Sequence, residues 1–181
     1  MPDLNLPSAN RIPDKLINAK VYASGTELLG IANTELPNFE YITEALSGLG
    51  IAGETETPVI GSFKSLTVKF GWNVPNKQGF SLLVPQAHQL EIYGSFQYYD
   101  SGTGALSTEN VKVVVRGMPK KVGMGKTEPA KKMESDTELE CSYIKIWMGG
   151  EEVVEIDKFA FIGRILGVDY LEQVRKDLGG E

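Results

Sequence analysis

The chain is short of the residues that carry most protein chemistry. Its 181 residues include one cysteine, Cys141, and one histidine, His88. A lone cysteine excludes an internal disulfide framework and fits a reducing compartment. A lone histidine excludes a multi-histidine metal site. A Ser-His-Asp triad would have to use His88, and no G-x-S-x-G elbow occurs. His88 reads as a polar residue at the start of a strand. Cys141 alternates with Leu139 and Tyr143, as a small buried hydrophobe does. Positive charge is also scarce: the formal net charge of −6 disfavours nucleic-acid binding through phosphate neutralisation, though not passage of nucleic acid without sticking. No apolar run approaches the ~20 residues of a membrane helix, so no membrane insertion is expected. The opening MPDLNLPSANRIPDKL has no apolar h-region, so no secretory signal is expected either.

Residues that do suggest chemistry fail on context. Gly125-Lys126-Thr127 matches the tail of a phosphate-binding G-x-x-x-x-G-K-[ST] loop. The first glycine of that motif falls on Lys120, and Glu128-Pro129 follows where a helix must open. Acidic pairs such as Glu54/Glu56 and Glu151/Glu152 have nothing converging on them for acid–base work. Trp72 and Trp147 read as core or interface aromatics. No cofactor, metal or enzymatic activity is predicted.

Alternation of apolar and polar residues is abundant. Ile17, Ala19, Val21 and Ala23 alternate, then SGTE turns the chain into LLGIA, which predicts a first hairpin. Leu66, Val68, Phe70 and Trp72 line one strand face; Leu90, Ile92, Phe96 and Tyr98 another; Val111, Val113 and Val115 a third. Leu139, Cys141 and Tyr143 begin a strand whose polar face (Glu138, Glu140, Ser142) gives way to Ile144 and Ile146, which predicts cover on both sides there. The MGGE turn at 148–151 leads into EVVEID as a hairpin partner. Helical signal is limited to 76–84 (NKQGFSLLV) and to the C-terminus. There Asp169 with Glu172 resembles a capping box, Leu171, Val174 and Leu178 share a face, and Glu172 pairs with Lys176. The expected fold is mainly β: an antiparallel β-sandwich or partly open barrel in one domain over 1–181, with one or two short α-helices and a long protruding hairpin loop.

That loop spans 117–137. It carries five lysines against three acids, a local charge of +2 on a chain of −6, and three of the five methionines, Met118, Met124 and Met133. Methionine suits a surface that moulds to a partner, and the lack of aromatics disfavours base stacking. A basic, methionine-bearing arm on an acidic body is suited to reach another copy of the chain.

VVVRG at 113–117, the polar loop, CSYIKIW at 141–147, EVVEID at 152–157 and GVDYLEQVRKDLG at 167–179 resemble the major tail tube protein of contractile-tailed phages and the tubes of R-type bacteriocins. LPSANRIPDKLINAKVYASGTELLGIA, LPNFEYITEAL and GLGIAG at 48–53 resemble the opening hairpin, Leu-Pro segment and Gly-rich stretch of that family. The segment 73–92 departs most. The resemblance implies a structural subunit made in the host bacterial cytoplasm. Its copies form hexameric rings that stack into a hollow tube, and its partners are a sheath, a baseplate and a tail terminator. It also implies that each subunit adds strands to one larger barrel. Four strands from each of six subunits, at ~4.8 Å spacing and ~40° tilt, make a barrel about 48 Å across, wide enough for DNA to pass without specific binding.

On this reading Met118, Lys120, Lys121, Met124, Lys126, Lys131, Lys132 and Met133 reach the adjacent ring. Gly48, Gly50, Gly53, Phe39 and Tyr41 form a second contact within the arm and Gly-rich segment 35–53. Glu151, Glu155 and Asp157 share a strand face and are candidates to line the lumen. The alternatives are a type VI secretion tube, in the same functional class, and a monomeric β-sandwich that binds carbohydrate or another ligand on an aromatic surface.

Overall fold

Alternating β-branched and aromatic residues make strands of most of the chain. The computed structural model describes residues 10–50 and 52–179; the N-terminal part of the proposed opening segment, before Asn10, lies outside them. The strands, in chain order, are β1 (Arg11–Ala23), β2 (Thr26–Glu27), β3 (Ile31–Glu35), β4 (Tyr41–Leu46), β5 (Thr55–Phe63) and β6 (Thr67–Trp72). After the helix α1 (Lys77–Ser81) come β7 (His88–Asp100), β8 (Leu106–Gly123), β9 (Ser135–Met148), β10 (Glu151–Asp157), β11 (Ile162–Ile165) and β12 (Val168–Asp169), then the helix α2 (Glu172–Asp177).

The main sheet is antiparallel, ordered β12-β11-β10-β9-β8-β7-β1-β2. β9 belongs to two layers. Its half from Tyr143 to Met148 pairs with β10, and its half from Ser135 to Glu140 pairs with β6, which in turn pairs with β3. Register shifts in the β8–β9 ladder at Arg116/Gly117 and Pro119/Lys121 separate the halves. Each such irregularity bends the ribbon and adds twist. The far half, with β6, therefore folds over the near sheet. Phe70, Val68 and Leu66 are fully buried in one cluster with Leu90, Val113, Val115, Leu139, Ile144 and Ile156. Burying a side chain such as Phe70 stabilises the fold by roughly 1.5–3 kcal/mol. The two sheets remain open and do not close into a barrel.

Several expectations need revision. The predicted hairpin at SGTE is only two residue pairs long, because β3 leaves β1 and pairs with β6 instead. Ile144 and Ile146 do not mark a strand covered on both sides. The irregularity opposite Ser142 switches the inward face from Leu139 and Cys141 to Ile144 and Ile146, and sends Tyr143 and Lys145 to the other face. The helix at 76–84 shortens to α1, with the Asn76 side chain accepting from the Gly79 amide at 2.8 Å. Asp169 forms no capping box with Glu172. Its carboxylate accepts from the Leu171 amide at 3.0 Å and from Arg175 at 2.8 Å. Leu171 is buried but Leu178 is exposed, so the helical face is only half used. The Glu172–Lys176 pair forms at 2.6 Å.

Candidate functional site

The side of the main sheet that faces away from the core is a lattice of charges. Lys20 meets Glu27 at 3.2 Å, Lys112 meets Glu91 at 3.1 Å, and Arg116 meets Asp157 at 3.0 Å. Lys145 bridges Glu152 at 2.7 Å and Glu155 at 3.3 Å, while Arg164 reaches Glu155 at 2.6 Å. The Tyr143 hydroxyl donates to Glu155 at 3.1 Å. Trp147 lies beneath the ammonium groups of Lys112 and Lys145, 5.6 and 5.1 Å from its ring. The Lys145 ammonium, then Arg164, holds the Glu152 carboxyl below the usual glutamate range. Burial works against the charge of Lys145, but Glu152 and Glu155 outweigh it and raise its pKa. Burial first, then Glu155, pushes the Tyr143 hydroxyl up.

Glu151, Glu155 and Asp157 were expected on one face. A register shift between Glu152 and Val154 changes that set. Glu152 joins Glu155 and Asp157 on the charged side, while Glu151 stays exposed at the turn. Asp157 also accepts from the amides of Phe159 and Ala160, at 2.9 and 3.0 Å. These acids are therefore tied into ion pairs and a turn. Lys112 and Arg116 alternate visibly with valines in the sequence, but their partners lie on other strands, so sequence reasoning passed over them.

Two projections complete the surface. The segment 117–137 is mostly a β-hairpin: residues 117–123 extend β8, 135–137 open β9, and only 124–134 connect them. Its Gly, Pro and Lys composition reads as loop, yet pairing with β9 overrides that preference, and Pro119 is absorbed at a register shift. Lys121 bridges Asp136 and Glu138 across the ribbon, and Lys131 pairs with Glu128. Lys120 reaches the Thr67 hydroxyl at 3.4 Å. Lys126, Lys132, Met118 and Met124 are exposed, and Met133 is half-buried. Gly125, at φ +74°, is a site of close approach: a Cβ there would lie 1.8 Å from the Met133 carbonyl oxygen. The same carbonyl accepts from the Lys126 amide. No helix opens at Lys126, so the partial phosphate-loop signature has no helix N-terminus behind it.

The second projection is the β4–β5 ribbon, a separate two-stranded sheet. Every residue of β4 is exposed, as is β5 through Ile60. At its base Phe39 meets Phe63 edge to face and Tyr41 lies tilted against it, with ring centroids 6.3 and 4.6 Å away. Gly48, Gly50 and Gly53 lie at its tip, where, apart from their chain neighbours, no described residue comes within 4 Å of the place a Cβ would take. A groove of about 430 Å³ between β1 and β3, lined by Leu16, Ile17, Leu36, Phe96 and Val111, was not legible in the sequence, because it exists only once β3 has left β1.

A family model described as "Phage tail tube protein FII" matches residues 13–179. The chain belongs to this family. It is 30% identical over 175 residues to the tail tube protein of Escherichia phage P2, covering 93% of this chain and 98% of that one. Its fold is similar to that of the sheath/tube terminator of an extracellular contractile injection system, PVC, solved in the extended state. There the TM-score is 0.52 at 10% identity, over 75% of this chain and 96% of the other. A tube-family chain is a structural subunit of a phage tail or tail-like particle. The ribbons and the charged sheet face are accordingly candidates for assembly surfaces.

Proposed function

We propose that this tube subunit acts as one domain whose copies close into hexameric rings and stack into a hollow conduit. The observation that carries this is the incompleteness of the isolated chain. Among the described residues, β1 from Arg11 to Lys20 pairs on one side only, with β7, because β2 reaches no further than Tyr22. Such an open edge is a template for another strand, and ring closure removes it. Among the described residues, the exposed β4–β5 ribbon has no third strand or packed face of the kind independent stability needs.

The charged sheet face, with Glu152, Glu155 and Asp157, is the proposed lining of the bore. Its cations are already matched to carboxylates, so DNA phosphates would find few free positive charges. DNA in an infectious particle would then slide through without specific binding. The hairpin at 117–137, with Lys120, Lys121, Lys126, Lys131, Lys132 and its three methionines, is proposed to contact the adjacent ring. Phe39, Tyr41, Gly48, Gly50 and Gly53 would form the second contact. The PVC relative is a sheath/tube terminator; a surrounding sheath, a terminator and a baseplate are the further partners proposed for this chain. Its synthesis and assembly would occur in the host bacterial cytoplasm.

Negative-stain electron microscopy of the concentrated protein, with and without sheared tube fragments as seeds, tests the reading. Hollow tubes of uniform width with sixfold end views are expected. A protein that sediments as a monomer at every concentration, seeded or not, would overturn it.

A further inference from the structure

The two projecting ribbons carry opposite charge, and each is incomplete. Between Val21 and Phe63 the sequence contains no lysine or arginine. Glu44, Glu54 and Glu56 are exposed on the β4–β5 ribbon and, among the described residues, none forms an ion pair. Among the described residues, the only side-chain hydrogen bond to these carboxylates comes from Thr43, to Glu56 at 3.2 Å. Beside them Ile42, Val59 and Ile60 are 44%, 43% and 65% exposed. On the β8–β9 connection, Lys126 and Lys132 are exposed without an ion pair among the described residues. The Lys126 amide bonds the Met133 carbonyl at 2.7 Å, which brings the backbone segments that carry the two lysines alongside each other. Met124, 55% exposed, supplies adaptable apolar surface next to them.

The ribbons do not meet within one chain. The base of the β4–β5 ribbon stands over Ile156, Phe161 and Leu171. The basic loop lies by Trp72, Pro75 and Phe80. β6 separates them, with the Leu66 carbonyl at Cys141 and Trp72 opposite Ser135, a strand length of roughly 20 Å.

We propose that the acidic β4–β5 ribbon of one copy docks on the basic β8–β9 connection of a second copy, Glu44, Glu54 and Glu56 facing Lys126 and Lys132, with Ile42 and Ile60 against Met124. This rests on the tube reading and names the two surfaces that would join its subunits. Both sides satisfy the same need. Acids without cations meet cations without acids, and an uncovered β-ribbon meets deformable methionine. Because the two surfaces differ, the contact is heterologous and repeats from copy to copy, as growth of a tube requires.

A charge exchange tests this in the full chain. The triple variant E44K/E54K/E56K, the double variant K126E/K132E and the combination of both are compared with wild type by critical concentration for assembly and by electron microscopy. All altered side chains are exposed, so unchanged circular dichroism and thermal midpoint are expected. The triple and the double variant should each raise the critical concentration about tenfold or more, and the combination should return it to within about threefold of wild type. The proposal is overturned if the triple variant assembles like wild type, or if the combination assembles no better than its parents. Failure of wild type itself to assemble, with seeds present, would instead remove the tube reading beneath it.

Discussion

β4–β5 and β8–β9 are both antiparallel ribbons whose ladders are interrupted by register shifts, yet they differ in what stands on their faces. β8–β9 has Val113, Val115, Leu139 and Ile144 almost completely buried under β6 and beside β7 and β10. β4–β5 has no buried residue along its paired length. Ladder hydrogen bonds largely exchange water for protein partners, so the net gain comes from apolar burial. One ribbon is thus the spine of the subunit. The other is an arm whose burial has to come from elsewhere. Gly61, at φ +66° where the arm meets the body, lets the backbone pass Leu171 so closely that a Cβ would lie 2.3 Å from its side chain.

The sharpest way to break this comparison is by mutation. Phe70→Ala, at a fully buried site, should cost about 3–5 kcal/mol in urea unfolding of the free subunit. Ile60→Ala, 65% exposed, should change stability by less than about 0.5 kcal/mol. Equal costs would mean that the arm is already buried in the monomer. Limited proteolysis gives the next effect. The free subunit should be cut first between Leu46 and Thr55, and assembly should slow that cut at least about tenfold while cuts elsewhere change little. Unchanged cleavage in tubes would show an arm that stays free.

An effect smaller than that of Phe70→Ala is expected on the charged face. Lys145→Ala removes a partner shared by Glu152 and Glu155 and should cost about 1–2 kcal/mol, between an exposed and a buried pair. The Glu152 carboxyl is held below its ordinary 4.5 by Lys145 first and Arg164 second. Folded protein therefore binds that proton less readily than unfolded protein. The stabilisation is complete above pH 4.5 and is lost as pH falls through the lower folded value. In Lys145→Ala the acid-induced loss of stability should be shallower than in wild type. An identical pH dependence would show that the Lys145–Glu152 pair contributes nothing.

Much of this was legible in residue alternation. Leu66, Val68, Phe70 and Trp72 do point inward together, as do Val111, Val113 and Val115. The MGGE turn joins β9 to β10, Gly149 and Gly150 supplying positive φ angles of +59° and +87°. The site was legible only in outline. The lysines and methionines of 117–137 stood out by composition, but composition cannot distinguish Lys121, paired with Asp136 and Glu138, from Lys126, which has no ion pair among the described residues. Glu151 does not share the strand face of Glu155 and Asp157, as alternation suggested, and Glu152 does, because a register shift in β10 is invisible to a count of alternating positions.

The sequence by itself determined which residues alternate toward a core, where the tight turns fall, and which family the chain resembles. Those properties rest on local spacing and on glycines at turns. Tertiary structure alone decided that β3 pairs with β6, that β8 and β9 are bent across two layers, that the charged face is internally neutralised, and that β4–β5 is left bare. Each of these depends on which strand lies alongside, and a one-residue shift between two strands moves every later side chain to the opposite face.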